Sequence, residues 1–173
     1  RRVAAGLGSR ALHADSRHPS LRGAMVYVPG ESFRRGAIGR KDAAFRRYGE
    51  YRERPEVRFT RRERVRSEAV SRKLAASVVE AFRDEGLPVQ PFKPVRDRVI
   101  RGRSVFLPAI LRGNAVPAKI LVEVANLGNE QDAALLARPA ERQKIARALR
   151  SALLSHFGEP RPAKPPPAPR RLP

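Results

Sequence analysis

The stretch that most constrains the fold runs from Pro117 to Leu136. Within it Lys119 leads into the unbroken apolar run Ile120-Leu121-Val122, which is followed at once by a carboxylate, Glu123. Short apolar runs of this kind suit a strand covered on both faces, as in a parallel sheet. The strand is expected to close at Glu123 and to pass into a loop carrying Asn126, Gly128 and Asn129. Asp132 then reads as the N-cap or first turn of a helix bearing Leu135 and Leu136. Ligands and catalytic groups in α/β folds gather at the carboxyl ends of such strands. A buried carboxylate left unpaired there costs several kcal/mol even after relaxation. Glu123 therefore has either an ion-pair partner, for which the many arginines qualify, or a chemical task.

The rest of the chain is read around that strand. Residues 3–10 fit the end of a helix, and Ala11-Leu-His-Ala-Asp-Ser16 fits a short strand running into a polar turn. A lone histidine in such a segment is more often structural than a metal ligand, and His13 taken alone falls on that side. His18, next to Pro19, sits in the turn, and Leu21 to Val28 supplies a further strand. From Gly30 to about Arg66 the chain is dense in arginine with interleaved Phe45, Tyr48, Tyr51 and Phe59. Such a segment either binds nucleic acid by phosphate contact and stacking or forms a loop beside a site. No zinc finger, RRM or KH signature accompanies it, so the loop reading is preferred and nucleic acid is an unlikely partner.

Residues 67–85 carry the clearest helical stripe, with Val70, Leu74, Val78 and Ala81 at four- and three-residue spacings. Ser67 and Glu68 suit its start, Gly86 and Pro88 its stop. Pro88 to Arg103 reads as an irregular basic connector, and Ser104 to Arg112 begins β-rich until Pro108 argues against a central strand. Glu141 to Phe157 is a second amphipathic helix with Ile145, Leu149, Ala152, Leu153 and His156 on one face. His156, near its C-terminus, is expected to be dipole-favoured or partly buried, not metal-bound. Residues 159–173 are proline-rich and suit a disordered or polyproline II tail.

At 173 residues the chain is long enough for one domain with a core. Cysteine is absent, which excludes disulfides, thiolate metal sites and a cysteine nucleophile. No apolar run approaches the roughly 18–20 residues that span a bilayer. Arg1 to Gly8 is too short and polar for a complete signal peptide, and the chain does not begin with Met, so it is expected to start inside a longer protein. The formal charge of +20 favours polyanionic partners, although arginine in excess of lysine also follows from a GC-rich coding sequence.

Pro117-Ala-Lys-Ile-Leu-Val-Glu123, with Asn129 and Asp132-Ala-Ala-Leu-Leu136 after it, resembles the signature of the zinc-dependent N-acetylmuramoyl-L-alanine amidases, which hydrolyse peptidoglycan. Ala125 and Asn126 stand where that family usually has Gly-Phe, and Gly128 stands for Ser. Leu12-His-Ala-Asp15 resembles the family's Ser-(Ile/Leu)-His-Ala-(Asn/Asp) motif, with Ala11 in place of Ser. Leu21-Arg-Gly-Ala-Met-Val-Tyr-Val28 is similar to the strand that follows it, and Ser71-Arg-Lys-Leu-Ala75 to the Ser-X-X-Leu-Ala of a family helix.

The resemblance implies an α/β fold, a mixed and largely parallel sheet flanked by helices. It implies that Glu123 is the catalytic carboxylate, that His13 is a zinc ligand, and that peptidoglycan in the cell envelope, periplasmic or secreted, is the substrate. No His, Asp or Glu stands among the twelve residues before His13. The family's other zinc ligands are therefore expected upstream, and residues 1–158 read as roughly the C-terminal two-thirds of a catalytic domain missing its N-terminal strands. Glu31 and His18 are the only substitutes in view, without a spacing argument for either. Two other classes remain open: a non-catalytic basic relative with a peptidoglycan-binding or regulatory role, and a nucleic-acid-binding protein acting through the arginine-rich segment.

Overall fold

The computed structural model of the chain describes residues 12–15, 19–31, 37–39, 56–112, 114 and 116–158. Its sheet is built on β8 (Leu121–Asn126), which is buried at every position except Val124. β1 (Leu12–Asp15) pairs with one side of β8 in parallel, and β2 (Met25–Tyr27) pairs with the other side antiparallel. β5 (Val95–Arg96) adds to β2 in parallel, so the order across the sheet is β1-β8-β2-β5. The sheet is thus mixed and largely parallel, and the apolar run from Ile120 to Val122 reflects cover on both of its faces.

One face carries the helices. Helix α1 (Arg61–Asp84) turns Leu74, Ala75, Val78, Val79 and Phe82 inwards. These meet Val26 and Val122 of the sheet and Ile145, Ala148 and Ala152 of helix α4 (Pro139–His156) in one core. The other face is covered by a two-stranded hairpin, β6 (Val99–Arg101) and β7 (Ser104–Phe106), and by the short helix α2 (Ala109–Arg112). Val99, Leu107 and Leu111 pack there against Met25, Tyr27 and Leu121.

Helix α1 begins a turn and a half earlier than its apolar stripe suggests. Thr60 and Glu63 form a capping box: the Glu63 amide donates to Thr60 Oγ1 at 3.2 Å, and the Thr60 amide donates to Glu63 Oε2 at 2.7 Å. The amide of Thr60 holds the Glu63 carboxyl below the usual carboxylate range. The stripe hides this start because the inward positions of the early turns are serines. Ser67 and Ser71 are buried, and their hydroxyls donate to the carbonyl of Pro117. The other end is as expected. Gly86 takes φ +69°, and the Gly86 and Leu87 amides donate to the carbonyls of Arg83 and Phe82, which is a Schellman closure.

Helix α4 starts at Pro139, two residues before the expected Glu141, because proline suits a first helical turn with its missing N–H. The basic connector from 88 to 103 is not irregular throughout. It contains β5 and β6, too short for a periodic signal, and Gly102-Arg103 forms the two-residue hairpin loop with Gly102 at φ +57°. Within the arginine-rich segment β3 (Ala37–Gly39) and β4 (Glu56–Arg58) pair antiparallel. Residues 32–36 and 40–55 of that segment, residues 3–10, His18 and the proline-rich tail lie outside the described residues. No helix among the described residues is long and apolar enough to cross a membrane.

Candidate active site

Glu123 is the third of six residues in β8, not the last as the apolar run implied. The strand continues through Val124, Ala125 and Asn126, because Ala125 and Asn126 still have ladder partners in Ala14 and Asp15. On one side Glu123 is opposite Met25 of β2, and on the other it is in register with His13 of β1, with a shift between His13 and Ala14. Glu123 is 9% exposed. Its ladder partner Met25 belongs to the core under the hairpin, so Glu123 lies on that face of the sheet and not on the helical one.

The carboxyl end of β8 is tied down by a polar cluster whose members the sequence divides between a loop, Asn126 and Asn129, and a helix start, Asp132. Helix α3 (Glu130–Ala137) is capped by Asn129, whose Oδ1 accepts from the Asp132 amide at 3.2 Å. Asp132, in the first turn, is fully buried. Its Oδ2 accepts from the Gly23 amide at 2.7 Å and the Asn126 amide at 2.9 Å, and its Oδ1 lies 3.6 Å from Arg22 Nε. Asn126, 1% exposed, donates through Nδ2 to the Leu21 carbonyl at 2.7 Å and accepts from the Gly128 amide at 3.0 Å. Asn129 Nδ2 donates to the Pro19 carbonyl at 2.7 Å. The segment from Pro19 to Gly23, which follows β1, is thereby fastened over the end of β8. Gly23 is required there: at φ +89°, a Cβ on it would stand 2.8 Å from the Pro88 and Val89 backbone.

The amino end of β8 is held by different chemistry. Lys119 is 3% exposed, and its ammonium donates to the carbonyls of Asn114, at 2.9 Å, and Val116. The Lys119 amide donates to Ser71 Oγ at 3.1 Å, which joins the strand to α1.

Of the other residues raised by the sequence, Glu31 is engaged elsewhere. Its carboxylate accepts from Arg64 Nη2 at 3.1 Å, and its amide donates to Glu68 Oε2 at 2.6 Å. Glu68 and Asp97 are joined by Arg72, and the adjacent Arg98 holds the Asp97 carboxyl below its ordinary range. His156 ends α4 with its ring edge-on to Phe157 at 5.0 Å. Partial burial, with a contribution from Lys73, pushes its imidazole below the ordinary histidine value.

Among the described residues no group of three or more His, Asp or Glu side chains is arranged to hold a metal ion. A catalytic zinc takes three protein ligands and an open position. Glu123 and the ladder position of His13 do not amount to that set, so the described residues alone do not fit the ion.

The family described as N-acetylmuramoyl-L-alanine amidase (Amidase_3) matches residues 11–155. No curated protein matches the chain. Among solved structures the fold is similar to the N-acetylmuramyl-L-alanine amidase Ami1 from Mycobacterium smegmatis, with TM-score 0.53 and 20% identity over 84% of this chain and 51% of that one. It is similar too to the apo form of Ami1 from Mycobacterium abscessus, with TM-score 0.51 and 17% identity over 83% and 51%. The chain spans about half the length of these structures. The family match runs from just before β1 to the last turn of α4, and the chain belongs to the N-acetylmuramoyl-L-alanine amidase family.

Proposed function

We propose that this chain is part of a cell-envelope hydrolase that cuts the amide between N-acetylmuramic acid and L-alanine in peptidoglycan. Glu123 is the acid–base residue in this reading. It takes a proton from the attacking water and delivers it to the leaving amine, a role worth about 10²- to 10⁴-fold in rate. A strand flanked on both sides supports such a task, since a carboxylate on a rigid element keeps one position through the reaction. His13 is a zinc ligand in the same reading, with the remaining ligands supplied outside the described residues. A zinc ion held by His13 and by ligands outside the described residues would polarise the scissile carbonyl and acidify the water.

The observation that carries the proposal is the ladder register of His13 with Glu123. Neighbouring positions across two paired strands share a face of the sheet, which supports a metal ligand and a proton acceptor working side by side. The test is release of L-alanine-bearing stem peptide from purified muropeptides by the protein carrying this chain, with and without Glu123→Gln. A rate lower by about 10²-fold or more, with an unchanged circular dichroism spectrum, is expected. Equal cleavage by both proteins would remove Glu123 from the mechanism. Binding of peptidoglycan without any cleavage by the parent protein would favour a non-catalytic relative.

A further inference from the structure

We infer that the β6–β7 hairpin, together with the Phe92–Lys93 loop just before it, is a docking surface for an anionic lipid bilayer. The hairpin has two apolar sides. Its Val99–Phe106 pair turns towards the core with Met25 and Tyr27, as a strand pair covering a sheet should. The next pair, Ile100 and Val105, points the other way, where an antiparallel ribbon ordinarily presents polar residues to water. Ile100 is 69% exposed and Val105 46%. Phe92, a few residues upstream, is 71% exposed, with Lys93 Nζ 5.2 Å from its ring centroid.

Charge determines what can cover these groups. Between Phe92 and Val105 the chain carries Lys93, Arg96, Arg98, Arg101 and Arg103 against a single acid, Asp97. Asp97 is already engaged by Arg72 and Arg98. A soluble polyanion would neutralise the cations and leave Phe92, Ile100 and Val105 in water. A neutral apolar partner would bury the three and strand the cations. The headgroup boundary of an anionic bilayer takes both, because apolar side chains enter the acyl edge while lysine and arginine stay among phosphates. The inward pair of the same hairpin covers the sheet face that carries Glu123. A docked hairpin therefore keeps that face beside the membrane. The inference stands apart from the hydrolase reading.

The test is flotation of the full chain with vesicles of phosphatidylglycerol and phosphatidylcholine, with pure phosphatidylcholine vesicles and soluble polyphosphate as comparisons. Binding to the phosphatidylglycerol vesicles and little to the neutral ones is expected. The double variant Ile100→Ser/Val105→Ser should lower vesicle partition by about tenfold while leaving polyphosphate binding unchanged. The chain has no Trp, so Ile100→Trp supplies a single fluorescence reporter whose emission should shift to the blue on anionic vesicles. Vesicle binding that the serine variant retains in full, polyphosphate binding that falls in step with it, or a tryptophan emission unmoved by vesicles would each overturn the inference.

Discussion

The two ends of β8 are fixed by opposite chemistry. At the amino end a buried cation, Lys119, gives its protons to backbone carbonyls, and Ser71 of α1 accepts from the strand amide. At the carboxyl end a buried anion, Asp132, collects backbone amides from Gly23 and Asn126, and two asparagines finish the attachment to Leu21 and Pro19. The first fastening joins the strand to a helix that belongs to the general core. The second joins it to the segment leaving the strand of His13. A carbonyl has two lone pairs and tolerates the loss of one donor, whereas an orphaned buried amide has no alternative. The carboxyl end should therefore be both the more costly to disturb and the closer in effect to the candidate chemistry.

Substitution tests that asymmetry directly. Asp132→Ala removes the acceptor from two buried amides and leaves a cavity, and it should cost roughly 3–5 kcal/mol in urea unfolding. Lys119→Met keeps most of the side-chain volume and removes a buried charge, so it should cost only about 1 kcal/mol by the same measurement. A larger loss for Lys119→Met than for Asp132→Ala would reverse the comparison.

The smallest effect belongs to His156, which lies at neither end. Partial burial depresses its folded-state pKa below the ordinary histidine value of 6.5. The unfolded chain therefore binds the extra proton first. Stability is complete above that value and declines as the pH falls through it. His156→Gln should flatten the decline, by under about 1 kcal/mol given its partial exposure, when thermal melting is followed below pH 6.5. A parent protein equally stable on both sides of that pH would contradict the sign.

The contrast also explains what could be read from the sequence. Glu123 was legible because a carboxylate after three apolar residues is an anomaly within one strand's length. Asp132 was legible as part of a helix start for the same local reason, whereas Asn129, read as loop, is the cap itself. The second role of Asp132 was not, since its partner Gly23 is 109 residues away. Asn126 was hidden further: an asparagine after alanine reads as the beginning of a loop, yet it is the last rung of β8. Thr60 and Glu63 did carry a capping signal, but Ser67 and Ser71 occupy inward positions where a stripe is judged by apolar residues. Gly102-Arg103 is a recognisable two-residue turn, but its flanking strands are three residues each and show no alternation to count.

β8 enters the sheet between two strands that precede it by about a hundred residues, and the contacts that lock it span separations of 105 to 110. During synthesis β1 and β2 must therefore wait, with neither able to complete its hydrogen bonding, until the chain past Asp132 has left the ribosome. Such late, long-range closure slows folding and lengthens the interval in which apolar strands are open to chaperones or to one another. β1 and β2 pass through the synthesis of about a hundred intervening residues without the strand that joins them.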